Sequence, residues 1–290
     1  MPPLDILLLG GAECPEFEWP LQQMEAVSKV VSVRGVDAAL DYLRESARPP
    51  DLIVVAQAFP AAFSHSQLNA LHRAAPLSRV VALLGSWCEG ESRTGDPWPA
   101  AIRVYWYRWP AFFADELSRM YAAEPPSWSL PLTASDEERS LLAAAQPLVQ
   151  TAGLIAVAAH DSQTAGWLAD ACSTRGYATV WLTSRRTPLV TGVAAVVADL
   201  PHFLRRDRDR LAGLARQFHP APVVALLNNP RVEEWKQAWE AGAGAVVAKP
   251  LELTDLYWAL DHVTSGSPAS STSPAPVTWQ RKISRRQAAS

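Results

Sequence analysis

Cysteine, net charge and long hydrophobic runs are all scarce in this 290-residue sequence. The three cysteines, Cys14, Cys88 and Cys172, lie far apart without a Cys-x-x-Cys spacing, which argues against a disulfide framework and a zinc module. The formal net charge of −3 argues against a nucleic-acid-binding surface. The apolar run at residues 6–9 is too short for a signal sequence or a membrane span. We therefore expect a cytoplasmic protein that binds neither nucleic acid nor a membrane.

The sequence also lacks the glycine-rich motifs of nucleotide-binding loops, since neither Gly-x-Gly-x-x-Gly nor Gly-Lys-Ser/Thr occurs in it. A tight turn explains Gly10 and Gly11 better than a nucleotide loop does. Cys14 and Cys88 are candidate nucleophiles, but a cysteine nucleophile needs a base, and no histidine falls in the loops around them. We expect no enzymatic activity.

The sequence does contain the same pattern of apolar runs in both halves. The runs lie at residues 4–9, 30–33, 52–55, 80–84 and 102–106, and again at 154–158, 179–182, 194–198, 223–227 and 245–248. They are separated by stretches with helical spacing. Strands that are apolar on both sides are typical of parallel sheets covered by helices on both faces. The sequence therefore predicts an α/β protein with two tandem, doubly wound, five-stranded parallel sheets in a flavodoxin-like order.

The composition between and after these halves predicts the domain boundaries. We predict a first domain at residues 1–124 and a second at 152–264. Residues 125–151 form the predicted linker, in which Ser135 and Glu138 have the spacing of a capping box that opens a helix. Residues 265–290 are rich in Ser, Pro and Ala and end in basic residues, a composition that predicts a disordered basic tail.

Two charged residues stand at the ends of apolar runs in the second half. Asp199 follows Val-Val-Ala, Lys249 precedes a proline, and Gly176-Tyr177 come before the second run of that half. In these features residues 152–264 resemble the receiver domains of two-component signalling. The resemblance implies that Asp199 corresponds to the phosphoacceptor and Lys249 to the lysine that contacts the phosphate.

Other positions that receiver chemistry requires are missing in the second half. The acidic pair of the family, which binds Mg²⁺ with the phosphoacceptor, falls on Ala159 and His160. Alanine supplies no ligand, and the adjacent Asp161 approaches the site only if its loop shifts. The hydroxyl residue that hydrogen-bonds the phosphate falls on Leu227. We therefore expect no cofactor, with Mg²⁺ possible only if Asp161 substitutes for the acidic pair.

The first half resembles the same fold in a more degenerate form. Ala56 takes the place of the phosphoacceptor, and Gly10-Gly11 take the place of the acidic pair. Leu84 stands at the hydroxyl position, and Trp109 at the lysine position. The resemblance therefore implies that the first half cannot be phosphorylated at this position.

One segment of the first half is rich in tryptophan. Residues 85–110 contain four of the twelve tryptophans, in loops expected at the edge of the sheet where partners of this fold bind. The candidate interface consists of Trp87, Cys88, Arg93, Trp98, Trp106, Arg108 and Trp109. The alternative is that the tryptophans cover the sheet in place of a regular fourth helix.

Three functions are compatible with the sequence. The first is a non-catalytic, receiver-like signalling or scaffold protein that acts by binding an unidentified protein partner. The second is an atypical response regulator that is phosphorylated on Asp199. The third is a small-molecule sensor at the Trp-rich edge of the first domain.

Overall fold

A computed structural model describes residues 4–11, 13–91, 95, 98, 101–131, 134–135, 138–139, 141, 150–183 and 190–265. The chain divides into two compact units between Trp106 and Tyr107. Within the residues given above, no helix is both long and apolar enough to cross a membrane.

The first unit is built on a five-stranded parallel sheet. Its strands are β1 (Leu4–Leu9), β2 (Ser28–Val33), β3 (Leu52–Gln57), β4 (Arg79–Leu84) and β5 (Ile102–Tyr105). Their order across the sheet is β2-β1-β3-β4-β5. The central strand β3 is buried along its whole length, as expected for a strand that is covered on both faces.

Three helices connect these strands. They are α1 (Glu18–Val27), α2 (Val36–Glu45) and α3 (His65–Ala74), with short 3₁₀ turns at Pro15–Phe17 and Ser86–Cys88. Apolar residues of α2 and α3 pack with Leu7 and Ile53 in one core cluster. The start of α3 is fixed by a capping box, in which the Ser64 hydroxyl accepts a hydrogen bond from the Gln67 backbone N–H at 3.3 Å.

The second unit contains another five-stranded parallel sheet. Its strands are β6 (Leu154–Ala158), β7 (Ala178–Trp181), β8 (Val193–Leu200), β9 (Val223–Asn228) and β10 (Ala243–Lys249), in the order β10-β9-β8-β6-β7. Its helices are α4 (Trp109–Tyr121), α5 (Ser162–Thr174), α6 (Arg205–Gln217), α7 (Val232–Glu240) and α8 (Leu253–Thr264). Helices α5 and α8 cover one face, where Leu168 and Leu260 pack with Val157 and Val197.

Both strand orders read 2-1-3-4-5 when the strands of each unit are numbered along the chain, which is the flavodoxin-like order. The predicted fold class is thus confirmed, and each of the ten predicted apolar runs forms a strand. In a parallel sheet all strands end at the same side, which we call the carboxyl edge. The residues that follow the strands of one unit therefore meet at its carboxyl edge.

Helix α4 follows β5 in sequence but belongs to the second compact unit. It packs against α8. The segment after α4 folds back onto it, because the buried Glu116 carboxylate accepts a hydrogen bond from the Ser127 backbone N–H at 2.7 Å. The division into compact units thus lies before α4, and the domain boundary predicted after residue 124 stays a prediction.

The predicted capping box after the linker prolines is present. The Ser135 backbone N–H donates to Glu138 Oε2 at 2.8 Å, and the Glu138 N–H donates to the Ser135 hydroxyl at 3.2 Å. The rest of the predicted linker helix, at residues 142–149, lies outside the described residues, and so does the predicted tail from residue 266 onward.

Gly11 illustrates how closely the turn after β1 approaches its surroundings. Its φ is +73°, and a Cβ added there would clash with Ala56 Cβ and lie 2.8 Å from Phe17 Cδ2. Gly90 has a similar φ of +84°, but nothing lies within 4 Å of its added Cβ. A substitution at Gly90 therefore introduces backbone strain alone, whereas a substitution at Gly11 introduces both backbone strain and steric overlap.

We predict that Gly11→Ala lowers the free energy of unfolding by about 3 kcal/mol, because left-handed strain and overpacking add together. Gly90→Ala incurs the strain alone and should cost about 1–2 kcal/mol. Denaturant unfolding followed by tryptophan fluorescence measures both variants. Equal losses for the two would contradict the packing described for Gly11.

Candidate functional site

Asp199 and Lys249 meet at the carboxyl edge of the second unit. Asp199 lies near the end of β8 and Lys249 at the end of β10, on either side of β9. The Lys249 ammonium donates a hydrogen bond to Asp199 Oδ1 in an ion pair. The Asp199 side chain is 6% exposed and that of Lys249 is 25% exposed. The structure thus brings together the two residues that the sequence singled out.

A second cation lies near Asp199. Arg210, on α6, interacts electrostatically with both Asp199 and Asp207. Burial lowers the pKa of the Arg210 guanidinium, while these two carboxylates act in the opposite direction. Two cations of the chain, Lys249 and Arg210, thus act on Asp199.

The positions of the acidic pair add no carboxylate to this site. Ala159 is buried, and His160 is exposed, with its Nε2 3.0 Å from Arg210 Nη1 and 4.0 Å from Asp207 Oδ1. Because an arginine can only donate, the His160 nitrogen facing it is the acceptor. His160 thus takes part in a network with the charged residues of α6.

Asp161 serves as the N-cap of α5. Its carboxylate accepts hydrogen bonds from the Thr164 backbone N–H and hydroxyl, both at 2.8 Å. The backbone hydrogen bond from Thr164 is the main cause of the lowered pKa of this carboxylate. Capping satisfies an otherwise unpaired helix N–H, so moving Asp161 toward Asp199 would break two hydrogen bonds.

The position expected for the phosphate-sensing hydroxyl is apolar. Leu227 is buried in β9, and the asparagines that follow it are exposed. Asn229 has a φ of +39°, and its backbone N–H donates to the Lys249 carbonyl at 3.0 Å. This bond joins the ends of β9 and β10 without placing a hydroxyl beside Asp199.

No group of three or more His, Cys, Asp or Glu side chains among the described residues is arranged to hold a metal ion. Mg²⁺ needs several oxygen ligands in near-octahedral geometry. At the carboxyl edge of the second unit, the one buried carboxylate at the phosphoacceptor position is already paired with an ammonium. The side chains present there do not fit a magnesium site.

The carboxyl edge of the first unit contains a buried polar cluster that sequence reasoning missed. Gln57 Nε2 donates to Glu91 Oε1 at 3.1 Å, and Glu91 forms an ion pair with Arg103 at 3.0 Å. Gln57 sits one residue beyond Ala56, at the end of β3. The sequence signal that could have revealed this cluster is Gln57, a polar residue at the end of the apolar run 52–56.

The two cysteines considered as nucleophiles are poorly suited to that role. Burial raises the pKa of the Cys88 thiol above its ordinary value, and burial also raises that of Cys14. Cys88 lies within the buried cluster, where its Sγ is 3.4 Å from the Gln57 carbonyl. Because the thiolate is the reactive form, burial disfavours reaction at both thiols.

Most of the predicted Trp-rich interface is buried. Cys88, Trp98, Trp106 and Trp109 are less than a tenth exposed, whereas Trp87 is 64% exposed. Two of the three buried rings have polar partners: Trp98 Nε1 donates to the Phe63 carbonyl at 3.1 Å, and Trp106 Nε1 donates to the Ser86 hydroxyl at 3.0 Å. The alternative in which tryptophans cover the sheet thus accounts for Trp98 and Trp106.

The two arginines of the predicted interface differ. Arg108 forms ion pairs with Glu252 at 2.6 Å and Asp255 at 3.1 Å, at the start of α8. Arg93 lies outside the described residues.

Beside the exposed Trp87 lies Phe59, which is 58% exposed, with the two ring centroids 6.2 Å apart. Phe59 follows β3 and Trp87 follows β4, so both stand at the carboxyl edge, and we call them the Phe59–Trp87 pair.

Comparison with known proteins gives structural matches only. No protein-family model matches the sequence, and no curated protein matches it. A CheY-like response regulator from Mesorhizobium loti is 17% identical, with a TM-score of 0.31, over 39% of this chain and 99% of that protein. ShkA, solved at full length with AMPPNP, is 16% identical, with a TM-score of 0.33, over 90% of this chain and 50% of ShkA. A protein named as a putative two-component system response regulator/GGDEF domain protein is 11% identical, with a TM-score of 0.34. The match covers 90% of this chain and 98% of that protein.

Because these identities and TM-scores are low, the fold assignment rests on the strand order of the two sheets. Both units have the flavodoxin-like strand order, which receiver domains share. The strand order thus confirms the fold that the resemblance implies.

Lys249→Met should lower the free energy of unfolding of the second unit by about 2–3 kcal/mol, because it leaves Asp199 buried without its ion-pair partner. In an Asp199→Asn background the same substitution should cost less than about 1 kcal/mol. Denaturant unfolding of the four proteins completes the cycle. An equal cost of Lys249→Met in both backgrounds would show that the pair is not coupled.

Proposed function

We propose that the protein is a non-catalytic, receiver-like signalling protein that binds a protein partner constitutively, without phosphorylation or a metal cofactor. The observation that carries the proposal is that the positions of the acidic pair, beside the Asp199–Lys249 ion pair, hold a buried alanine, Ala159, and an exposed histidine, His160. Phosphoryl transfer is catalysed mainly by positioning and by charge stabilisation, for which receiver-like chemistry uses a metal ion. Here the positive charge beside Asp199 is a fixed ammonium.

The competing function is phosphorylation of Asp199. It has in its favour that Asp199 and Lys249 occupy the expected ends of the third and fifth strands of the second unit. Against it are the buried Ala159, the capping role of Asp161 and the apolar Leu227. A phosphoryl group would also have to displace the existing ion pair from a carboxylate that is almost fully buried.

The Phe59–Trp87 pair supports a protein-binding role. Large exposed apolar side chains that lie together mark interaction surfaces, and tryptophan is enriched among the residues that dominate binding energy. The flanking residues Pro60, Ala61 and Ala62 are exposed as well, which extends the apolar surface. We propose that the partner contacts this part of the carboxyl edge of the first unit.

We predict that Trp87→Ala weakens partner binding by about 30-fold, the effect of removing a residue worth roughly 2 kcal/mol at the centre of an interface. Asp199→Ala should leave binding unchanged, because the proposed interaction does not depend on phosphorylation. The measurement is quantitative co-purification of partners from cells of the source organism, followed by binding curves with the purified partner.

Leu77→Ala is the matched control, since Leu77 is 85% exposed in the same unit but precedes β4 rather than following it. It should bind like the native protein. Loss of binding in Asp199→Ala would contradict constitutive action, and native-like binding by Trp87→Ala would contradict the proposed surface.

A further inference from the structure

A cavity of about 80 Å³ lies in the first unit beneath α1. Its wall includes Gly10, Gly11 and Ala56. In the resemblance to receiver domains, these are the positions at which three carboxylates would stand. The cavity therefore lies where the first unit has lost the side chains of the phosphorylation site.

The cavity is lined mainly by apolar side chains. Leu8, Ala56 and Leu83 come from three adjacent strands, and Phe17, Leu21 and Met24 come from α1 and the turn before it. An apolar cavity offers water no hydrogen-bonding partners, so such a space favours an apolar occupant. The apolar side chains of this wall thus favour an apolar molecule over a hydrated ion.

The shape of the wall is fixed by the backbone. Gly10 and Gly11 both have a φ of +73°, which is unfavourable for other residues, and the surroundings of Gly11 leave no room for a Cβ. The turn therefore holds its position beside the cavity. The cavity is partly open to solvent, because the exposed Glu18 forms part of its lining, so a small molecule can reach its apolar wall.

Size and charge narrow the class of ligand. A cavity of about 150 Å³ lined by similar side chains admits benzene, so a cavity of half that volume takes a smaller molecule. Glu18, an exposed carboxylate in the first turn of α1, is part of the lining and disfavours anions. We propose that the first unit binds a small, uncharged, aliphatic molecule of up to about five heavy atoms in this cavity. This site is distinct from the Phe59–Trp87 pair and does not depend on the state of Asp199.

The chain offers a direct reporter of occupancy. It contains three methionines, of which Met24 lines the cavity and is fully buried. Spectra of the full-length protein labelled with ¹³C at the methionine methyl groups should therefore contain a Met24 signal beside those of Met1 and Met120. Xenon and isobutanol are the probes, and isobutyrate, with the same carbon skeleton and a negative charge, is the control.

We expect xenon and isobutanol to shift the Met24 signal in a saturable way while Met120, which does not line the cavity, stays in place. A dissociation constant of order 1 mM is expected for isobutanol, because so small a ligand has little binding energy. Isobutyrate at the same concentrations should leave the Met24 signal unchanged.

Ala56→Leu should abolish the shift by filling the cavity, and Leu21→Phe tests the same point from the helix if Ala56→Leu does not fold. Ala26→Leu places the same added side chain on the exposed surface of α1 and should retain the shift. An unshifted Met24 signal in the native protein would overturn the proposal. A shift that persists in the folded filling variant, or one that isobutyrate reproduces, would overturn it too.

Discussion

A carboxylate buried at the edge of an apolar sheet must be compensated by a nearby positive charge, and in the second unit Lys249 compensates Asp199. The strands that carry these residues are held in place by the parallel sheet, so their pairing follows from the strand order. Arg210 adds a second positive charge from α6. The carboxyl edge of the second unit is therefore neutralised from within the chain, whereas a phosphorylated receiver site depends on a bound metal ion.

The first unit meets the same electrostatic requirement by having no carboxylates at these positions. Gly10, Gly11 and Ala56 line the mainly apolar cavity. Nearby in sequence, Gln57 donates a hydrogen bond to Glu91, and Arg103 balances the charge of Glu91 in an ion pair. The two units therefore share a strand order but differ in the residues at their carboxyl edges. On this account, the second unit keeps a structural ion pair, while the first presents the Phe59–Trp87 pair and the proposed ligand cavity.

Much of this could be predicted from the sequence because the strands are short, apolar and evenly repeated. All ten strands were located, and so were Asp199 and Lys249, since a charged residue that ends a buried strand is conspicuous. The positions of the acidic pair, Ala159 and His160, could likewise be located by counting back from Gly176-Tyr177, which shows that the carboxylates are missing there. These inferences depend on local spacing, which the sequence contains directly.

The remaining features depend on contacts between distant segments. Arg210 lies on α6, and no local pattern in the sequence indicates that it approaches Asp199. Trp98 and Trp106 are buried, and their ring nitrogens donate hydrogen bonds to residues distant in sequence, Phe63 and Ser86. Helix α4 packs against α8, more than a hundred residues later, and no local pattern predicted that contact.

The central claim is that the internal ion pair replaces the phosphorylation chemistry of the second unit. Incubation with a small phosphodonor and Mg²⁺, followed by intact-mass measurement, tests it most directly. Native protein and Asp199→Ala should both keep their masses, whereas a variant with the acidic pair restored by Ala159→Asp and His160→Asp serves as the positive comparison. A gain of one phosphoryl group by the native protein that is lost in Asp199→Ala would contradict the account and identify the second unit as a working phosphoacceptor.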